Sequence, residues 1–149
     1  MRVESAEYLR RVYKSICLGW GAPEHQADAF AEGILTGDLY GHEAQGIAIA
    51  QLDAVMVRDN QINLQGEPTV ELEGPSFGAL NANRCLGQYA MMKAMDMAIE
   101  KAKTNAVGVV WVHDWHDIGC ASAYTKRALD HDMVGILSVN TVPLTAPYG

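Results

Sequence analysis

Seven consecutive residues, His113-Asp114-Trp115-His116-Asp117-Ile118-Gly119, hold two of the chain's five histidines, two carboxylates and a tryptophan. Imidazole is the side chain whose ordinary titration falls between pH 5 and 8, and a carboxylate beside it can orient it or share its proton. A positioned general acid or base typically contributes roughly 10² to 10⁴ in rate. His116 and Asp117 are therefore the candidate catalytic acid/base residues. A plainer reading is that these are solvated polar residues at the end of a strand. A metal reading needs His113 and His116 with Asp114 or Asp117, but no clearly placed further ligand comes from another element, as zinc requires, and no metal is assigned.

The elements that must position this loop form an alternating run. Strand-like 77–82, helix-like 86–103, strand-like 107–113, helix-like 120–131 and strand-like 133–140 give β-α-β-α-β. The stretches Val107-Gly108-Val109-Val110-Trp111-Val112 and Val134-Gly135-Ile136-Leu137 are continuously apolar, which predicts strands covered by helices on both faces. Parallel pairing through right-handed crossovers is the expected connection. Ligands of open α/β sheets bind beyond the carboxyl ends of the strands, so the loops to watch are 113–119 and 140–149. Met91 and Met95 recur with Ala94, Ala98 and Ala102 on one helical stripe, and are read as packing residues.

Upstream, Leu9, Val12, Tyr13, Ile16, Cys17 and Trp20 line one face of a helix capped by Ser5. A second helix opens at Pro23 and turns Ala27, Phe30, Ala31, Ile34 and Leu35 inward. Ile47, Ile49, Leu52, Val55 and Met56 give a third. Short β-like runs at 62–64 and 69–72 are punctuated by Gly66, Pro68, Gly74 and Pro75. The expected organisation is a helical segment over 1–60, a connector with short strands over 61–76, and an α/β segment over 77–149. Gly19-Trp20-Gly21 follows a helix and lacks the last glycine of a dinucleotide fingerprint. His25 is read as solvent-facing and His131 as a helix-end residue.

With 149 residues, 49% of them hydrophobic, the chain can bury one real core. A formal charge of −7 with scattered Lys and Arg disfavours nucleic acid as a partner. No apolar run is long enough to span a bilayer, and the N-terminus lacks a signal-peptide apolar core, so no membrane association and a cytoplasmic location are expected. Cys17, Cys85 and Cys120 form no Cys-x-x-Cys pair and are read as reduced, mostly buried side chains.

Asp38-x-x-Gly41 and the Gly41-His42-Glu43-Ala44-Gln45-Gly46 turn carry a resemblance that extends along the chain. It continues through Gly78-Ala79-Leu80-Asn81-Ala82, Gly87-Gln88, Tyr124, Val134-Gly135-Ile136, Asn140-Thr141-Val142-Pro143 and Ala146-Pro147-Tyr148-Gly149. In order and spacing these resemble the first half of the malate/L-lactate dehydrogenase family, the non-Rossmann NAD(P)-dependent 2-hydroxyacid oxidoreductases. The resemblance implies an α/β fold in which an N-terminal helical segment precedes the β-α-β-α-β unit. It also implies NAD or NADP as cofactor, with 77–149 an incomplete cofactor-binding region, and a small 2-hydroxy or 2-oxo acid such as malate or lactate as substrate.

Residue by residue, it makes His42 and Gln45 part of a substrate loop and places Asn140 and Thr141 near the cofactor. The family's Ser-His pair falls on Ala44-Gln45, and the Arg that would hold a substrate carboxylate falls on Ile49. Without gaps the family's second His falls on Asp117, with His116 one residue early; a shift restores His116 but loses the match at Tyr124. Two functions follow as expectations. One is an oxidoreductase using His116 or Asp117. The other is an inactive or half-length subunit, or a small-ligand-binding protein, forming a homodimer or a hetero-oligomer with a chain that supplies the family's second half.

Overall fold

A computed structural model describes residues 4–140. Helix α1, Ala6–Gly19, starts where the Ser5 hydroxyl accepts the Tyr8 N–H at 3.1 Å, and it buries Tyr13 and Cys17. Helix α2, Glu24–Leu39, begins directly after Pro23 and is buried over most of its length. Its small residues Ala27, Ala29, Ala31, Gly33 and Gly37 let neighbours approach from several sides, while Phe30, Ile34 and Leu35 fill the space between them. Phe30 meets Trp20 edge to face, with ring centroids 5.2 Å apart. After a 3₁₀ turn at Glu43–Gln45 comes α3, Ile47–Arg58.

The 62–64 run expected to be β-like is held as a turn. Gly66 N–H donates to the Asn63 carbonyl at 2.8 Å, and buried Gln26 of α2 donates to the carbonyls of Leu64 and Gly66 at 3.1 and 2.8 Å. Three strands then form one sheet in the order β1-β2-β3: Thr69–Glu73, Phe77–Asn81 and Val109–His113. β1 and β2 are antiparallel, with an irregularity between Val70 and Leu72. β2 and β3 are parallel, registered from Phe77 opposite Val109 to Asn81 opposite His113, and joined by α4, Gly87–Asn105. The α/β class and the strand-helix-strand unit agree with the sequence.

Two details differ. Among the described residues the apolar strands are covered on one face rather than both. α4 closes over Leu80, and its Met97 side chain and Ala98 carbonyl lie against Gly78 and Gly108, but Phe77, Val109 and Trp111 on the other face are exposed. The single helix expected over 120–131 is a short α5, Ser122–Thr125, continued by a 3₁₀ helix Lys126–His131. Only Ala128 is buried in that continuation and Leu129 is exposed, so little packing holds a longer α-helix together.

The last expected strand, 133–140, keeps a strand's alternating burial but has no ladder partner among the described residues. Gly135 packs against the Thr125 backbone, Leu137 and Val139 pack on the core, and Val134 and Ile136 are 86% and 85% exposed. Among the described residues, no helix is long and apolar enough to cross a membrane.

Candidate functional site

The turn after α2 is shaped by residues other than those that would do chemistry. Asp38 accepts the Ile47 N–H at 3.1 Å, capping α3, and its second oxygen accepts the Tyr13 hydroxyl at 2.7 Å. A Cβ on Gly46 would run into this carboxylate, and one on Gly37 into the Gln45 carbonyl. Gly41 takes a left-handed φ of 73°, a conformation that costs glycine little. The His42 N–H closes the turn onto the Gly37 carbonyl at 2.9 Å. His42, Ala44 and Gln45 are exposed on its surface, whereas Ile49 is half-buried against the core. No guanidinium occupies the 41–50 stretch to pair with a carboxylate substrate.

The 113–119 loop is tightly constrained. Asp114 and Gly119 both have positive φ, of 55° and 64°. The Trp115 indole N–H donates to the Val112 carbonyl at 3.1 Å, Asp117 Oδ1 accepts the Gly119 N–H at 2.7 Å, and the buried Tyr124 hydroxyl donates to the Ile118 carbonyl. Gly87, opening α4, packs directly on the carbonyl groups of His116 and Asp117. His116 Nε2 lies 2.8 Å from the Gln61 carbonyl. A carbonyl can only accept, so Nε2 carries a proton, and in the neutral ring Nδ1 is left as the acceptor.

These two loops meet. The Gln45 carbonyl lies over Gly119, where a Cβ would sit 3.3 Å from it. The turn with His42 and Gln45 and the loop with His116 and Asp117 thus share a boundary. His113 diverges from His116: its Nε2 is 2.7 Å from Glu71 Oε2, and Asn81 donates to the other oxygen of Glu71. Among the described residues, no group of three or more His, Cys, Asp or Glu is gathered as a metal site. Asn140 is exposed at the end of the described chain, and Thr141 lies outside the described residues. His25 is exposed but engaged, 2.7 Å from Glu67 Oε1. The three cysteines are buried and unpaired, and burial pushes the thiols of Cys17 and Cys85 up to about 12.

A buried pair beneath the site was missed in the sequence. Asp53 of α3 and Gln88 of α4 are fully buried, with Gln88 Nε2 donating to Asp53 Oδ2 at 3.0 Å. Asp53 Oδ1 and Gln88 Oε1 have no partner. Burial pushes the Asp53 carboxyl up to about 7, with Gln88 opposing the rise and negative Asp117 adding to it. The available signal was positional: Asp53 lies three residues after buried Ala50 and four after half-buried Ile49, on the inward face of α3.

The β2–α4 connection, where a dinucleotide pyrophosphate would be sought, is occupied by the protein itself. Arg84 donates to the carbonyls of Gln61 and Asn60, Cys85 and Leu86 are buried, and α4 begins against the carbonyls of the His116 loop. The described residues therefore offer a nicotinamide dinucleotide no phosphate cradle at this helix start.

Helices that precede a mixed three-stranded sheet, with two loops converging beside the parallel strand ends, make this an α/β scaffold with one candidate site. The chain belongs to the malate/L-lactate dehydrogenase family, which it matches over residues 5–149. It is 34% identical over its whole length to an L-sulfolactate dehydrogenase of Methanothermobacter thermautotrophicus, covering 43% of that protein. It is 35% identical over 97% of its length to a malate/(S)-sulfolactate dehydrogenase of Methanothermus fervidus, again covering 43%. The sulfolactate dehydrogenase structure from Methanocaldococcus jannaschii superposes with a TM-score of 0.84 at 27% identity, covering 88% of this chain and 38% of that one. The chain thus spans less than half the length of these relatives.

Proposed function

We propose that this chain contributes the proton-transfer side of an NAD(P)-linked 2-hydroxyacid dehydrogenase site, with the carboxylate anchor and the cofactor contacts supplied by residues outside it. The observation that supports this reading is the contact between the Gln45 turn and Gly119, which joins the two candidate loops into one boundary. In this reading His116, its Nε2–H donated to the Gln61 carbonyl, uses Nδ1 to take the proton of a substrate hydroxyl and returns it in the reverse direction. Asp117 is committed to the Gly119 N–H and holds the loop's shape rather than acting as the base. The proposed substrate is a small 2-hydroxy or 2-oxo acid, malate, lactate or sulfolactate by analogy with the relatives, and a cytoplasmic site goes with it.

An Arg–carboxylate contact is typically worth about 1.5–3 kcal/mol, and Ile49 cannot supply one. The half-site reading is therefore preferred over a self-sufficient enzyme. The purified chain alone should not oxidise NADH or NADPH with pyruvate or oxaloacetate. Robust turnover by the chain alone would overturn the half-site assignment. In an assembly that does turn over, His116→Ala should lower the rate about 10²-fold or more at unchanged thermal stability; an unaltered rate would remove His116 from proton transfer.

A further inference from the structure

We infer that the buried Asp53–Gln88 pair is a positioning device that holds α3, and with it the Gln45 turn, against the His116 loop, and that it holds only while Asp53 is a neutral acid. Treating the two loops as one site rests on the functional reading above.

α3 is thinly embedded. Of its twelve residues only Ala50 and Asp53 are buried, Ile49, Met56 and Val57 are half-buried, and Ile47, Leu52 and Val55 are exposed. A helix owes most of its stability to the packing of its apolar face, so one with so narrow a face depends on its remaining ties. Asp53 supplies a tie that crosses to α4, where Gln88 Nε2 donates to its Oδ2 at 3.0 Å. Both ends of this crossbar bear on the site. α3 begins at Ile47, directly after the turn whose Gln45 carbonyl lies over Gly119. Gln88 follows Gly87, which packs on the carbonyl groups of His116 and Asp117. Gly33 of α2 leaves room for the pair: a Cβ there would sit 3.0 Å from Gln88 Cγ and 3.3 Å from the hydroxyl of Tyr124, the group that holds the Ile118 carbonyl.

This seam is short of donors for a carboxylate. Gln88 gives Asp53 one hydrogen bond, while Asp53 Oδ1 and Gln88 Oε1 are unpartnered and neither residue reaches solvent. The titratable groups coupled to Asp53 are Cys17 of α1, Tyr124 of α5 and Asp117 of the loop, and among the described residues no cation is. An ionised Asp53 would therefore be a buried charge without a counter-ion beside a second negative group, which is strongly disfavoured. Protonation removes that charge and turns one surplus acceptor into a donor. Burial accordingly pushes the carboxyl up to about 7 from an ordinary 3.8, so closure is strongest below about pH 4 and weakens as pH rises through about 7. Release of α3 hydrates Asp53, lets it ionise, and takes the Gln45 turn off Gly119.

Hydrogen exchange of the purified chain at pH 5 and pH 7.5, corrected for intrinsic rates, reads this release. Amides 51–58 of α3 should lose about tenfold or more of their protection over that interval. At pH 7.5 they should be at least about tenfold less protected than amides 30–36 of α2. In Asp53→Asn, a neutral side chain of the same shape, the protection of α3 should not depend on pH. The inference is overturned by pH-independent protection in the unaltered chain, by the same fall in Asp53→Asn, or by α3 amides as protected as those of α2, which would mean release only on global unfolding. Should Asp53→Asn not fold, the carbon-13 resonance of the Asp53 carboxyl in the unaltered chain decides: titration near pH 7 supports the inference, and titration in the ordinary carboxylate range overturns it. None of these readouts is turnover. The expected exchange pattern together with unaltered turnover in His116→Ala would remove the functional reading and leave the positioning device standing.

Discussion

Helix α2 and strand β3 are both rich in apolar residues, yet one is enclosed and the other is not. α2 has ten buried residues among its sixteen, and so its packing is completed by α1, α3, α4 and α5 within this chain. β3 has none fully buried, because α4 covers a single face. Apolar content therefore identifies what must be covered but not what covers it. Among the described residues the helical portion encloses α2 from several sides, while the sheet keeps one face open.

The comparison can be broken most directly by truncation in each region. Phe30→Ala should destabilise the protein by about 3–5 kcal/mol in urea unfolding, because Phe30 is fully buried and its ring packs on Trp20. A loss below about 1 kcal/mol would mean that α2 is not the organising element.

The next effect tests the polar seam between α3 and α4. The raised folded value of Asp53, about 7 against an ordinary 3.8, means that its contribution is fully present below about pH 4 and is lost as pH rises through about 7. The full loss is on the order of 4 kcal/mol. Asp53→Asn should remove this fall, so stability measured from pH 4.5 to 8 should decline less steeply in the variant. Parallel pH profiles for the two proteins would show that Asp53 does not carry the proton.

The smallest effect is the most pointed. Trp111→Ala removes a larger side chain than Phe30→Ala, yet in the isolated chain it should change stability by only about 0.5 kcal/mol or less, since Trp111 stands mostly in water. A cost of several kcal/mol would show that the open face is already covered in solution.

Much of this was legible in the residues. Helical spacing in α1 and α2, the Ser5 cap and the strand-helix-strand run through α4 follow from local patterns, and local patterns suffice when one element carries its own periodicity. The 62–64 run was misread because Gln26, distant in sequence, holds it as a turn. Of the candidate site, the His116-Asp117 loop was singled out by composition, and Asp38, Gly41 and Gly46 by the family resemblance. Asp53 escaped because a lone carboxylate in a helix is ordinarily solvated, and only the packing of α3 on α4 deprives it of water.

The sequence by itself determined helices α1 to α4 and which strands are apolar throughout, because side-chain type and spacing are local properties, and the family resemblance showed that Ala44, Gln45 and Ile49 do not reproduce its Ser, His and Arg. Only the tertiary structure decided that the Gln45 turn lies on Gly119, that His116 donates through Nε2, that Asp53 is sealed from solvent, and that β3 keeps one face open. Those outcomes depend on contacts between residues tens of positions apart, whose geometry is set when α2, α3 and α4 pack together.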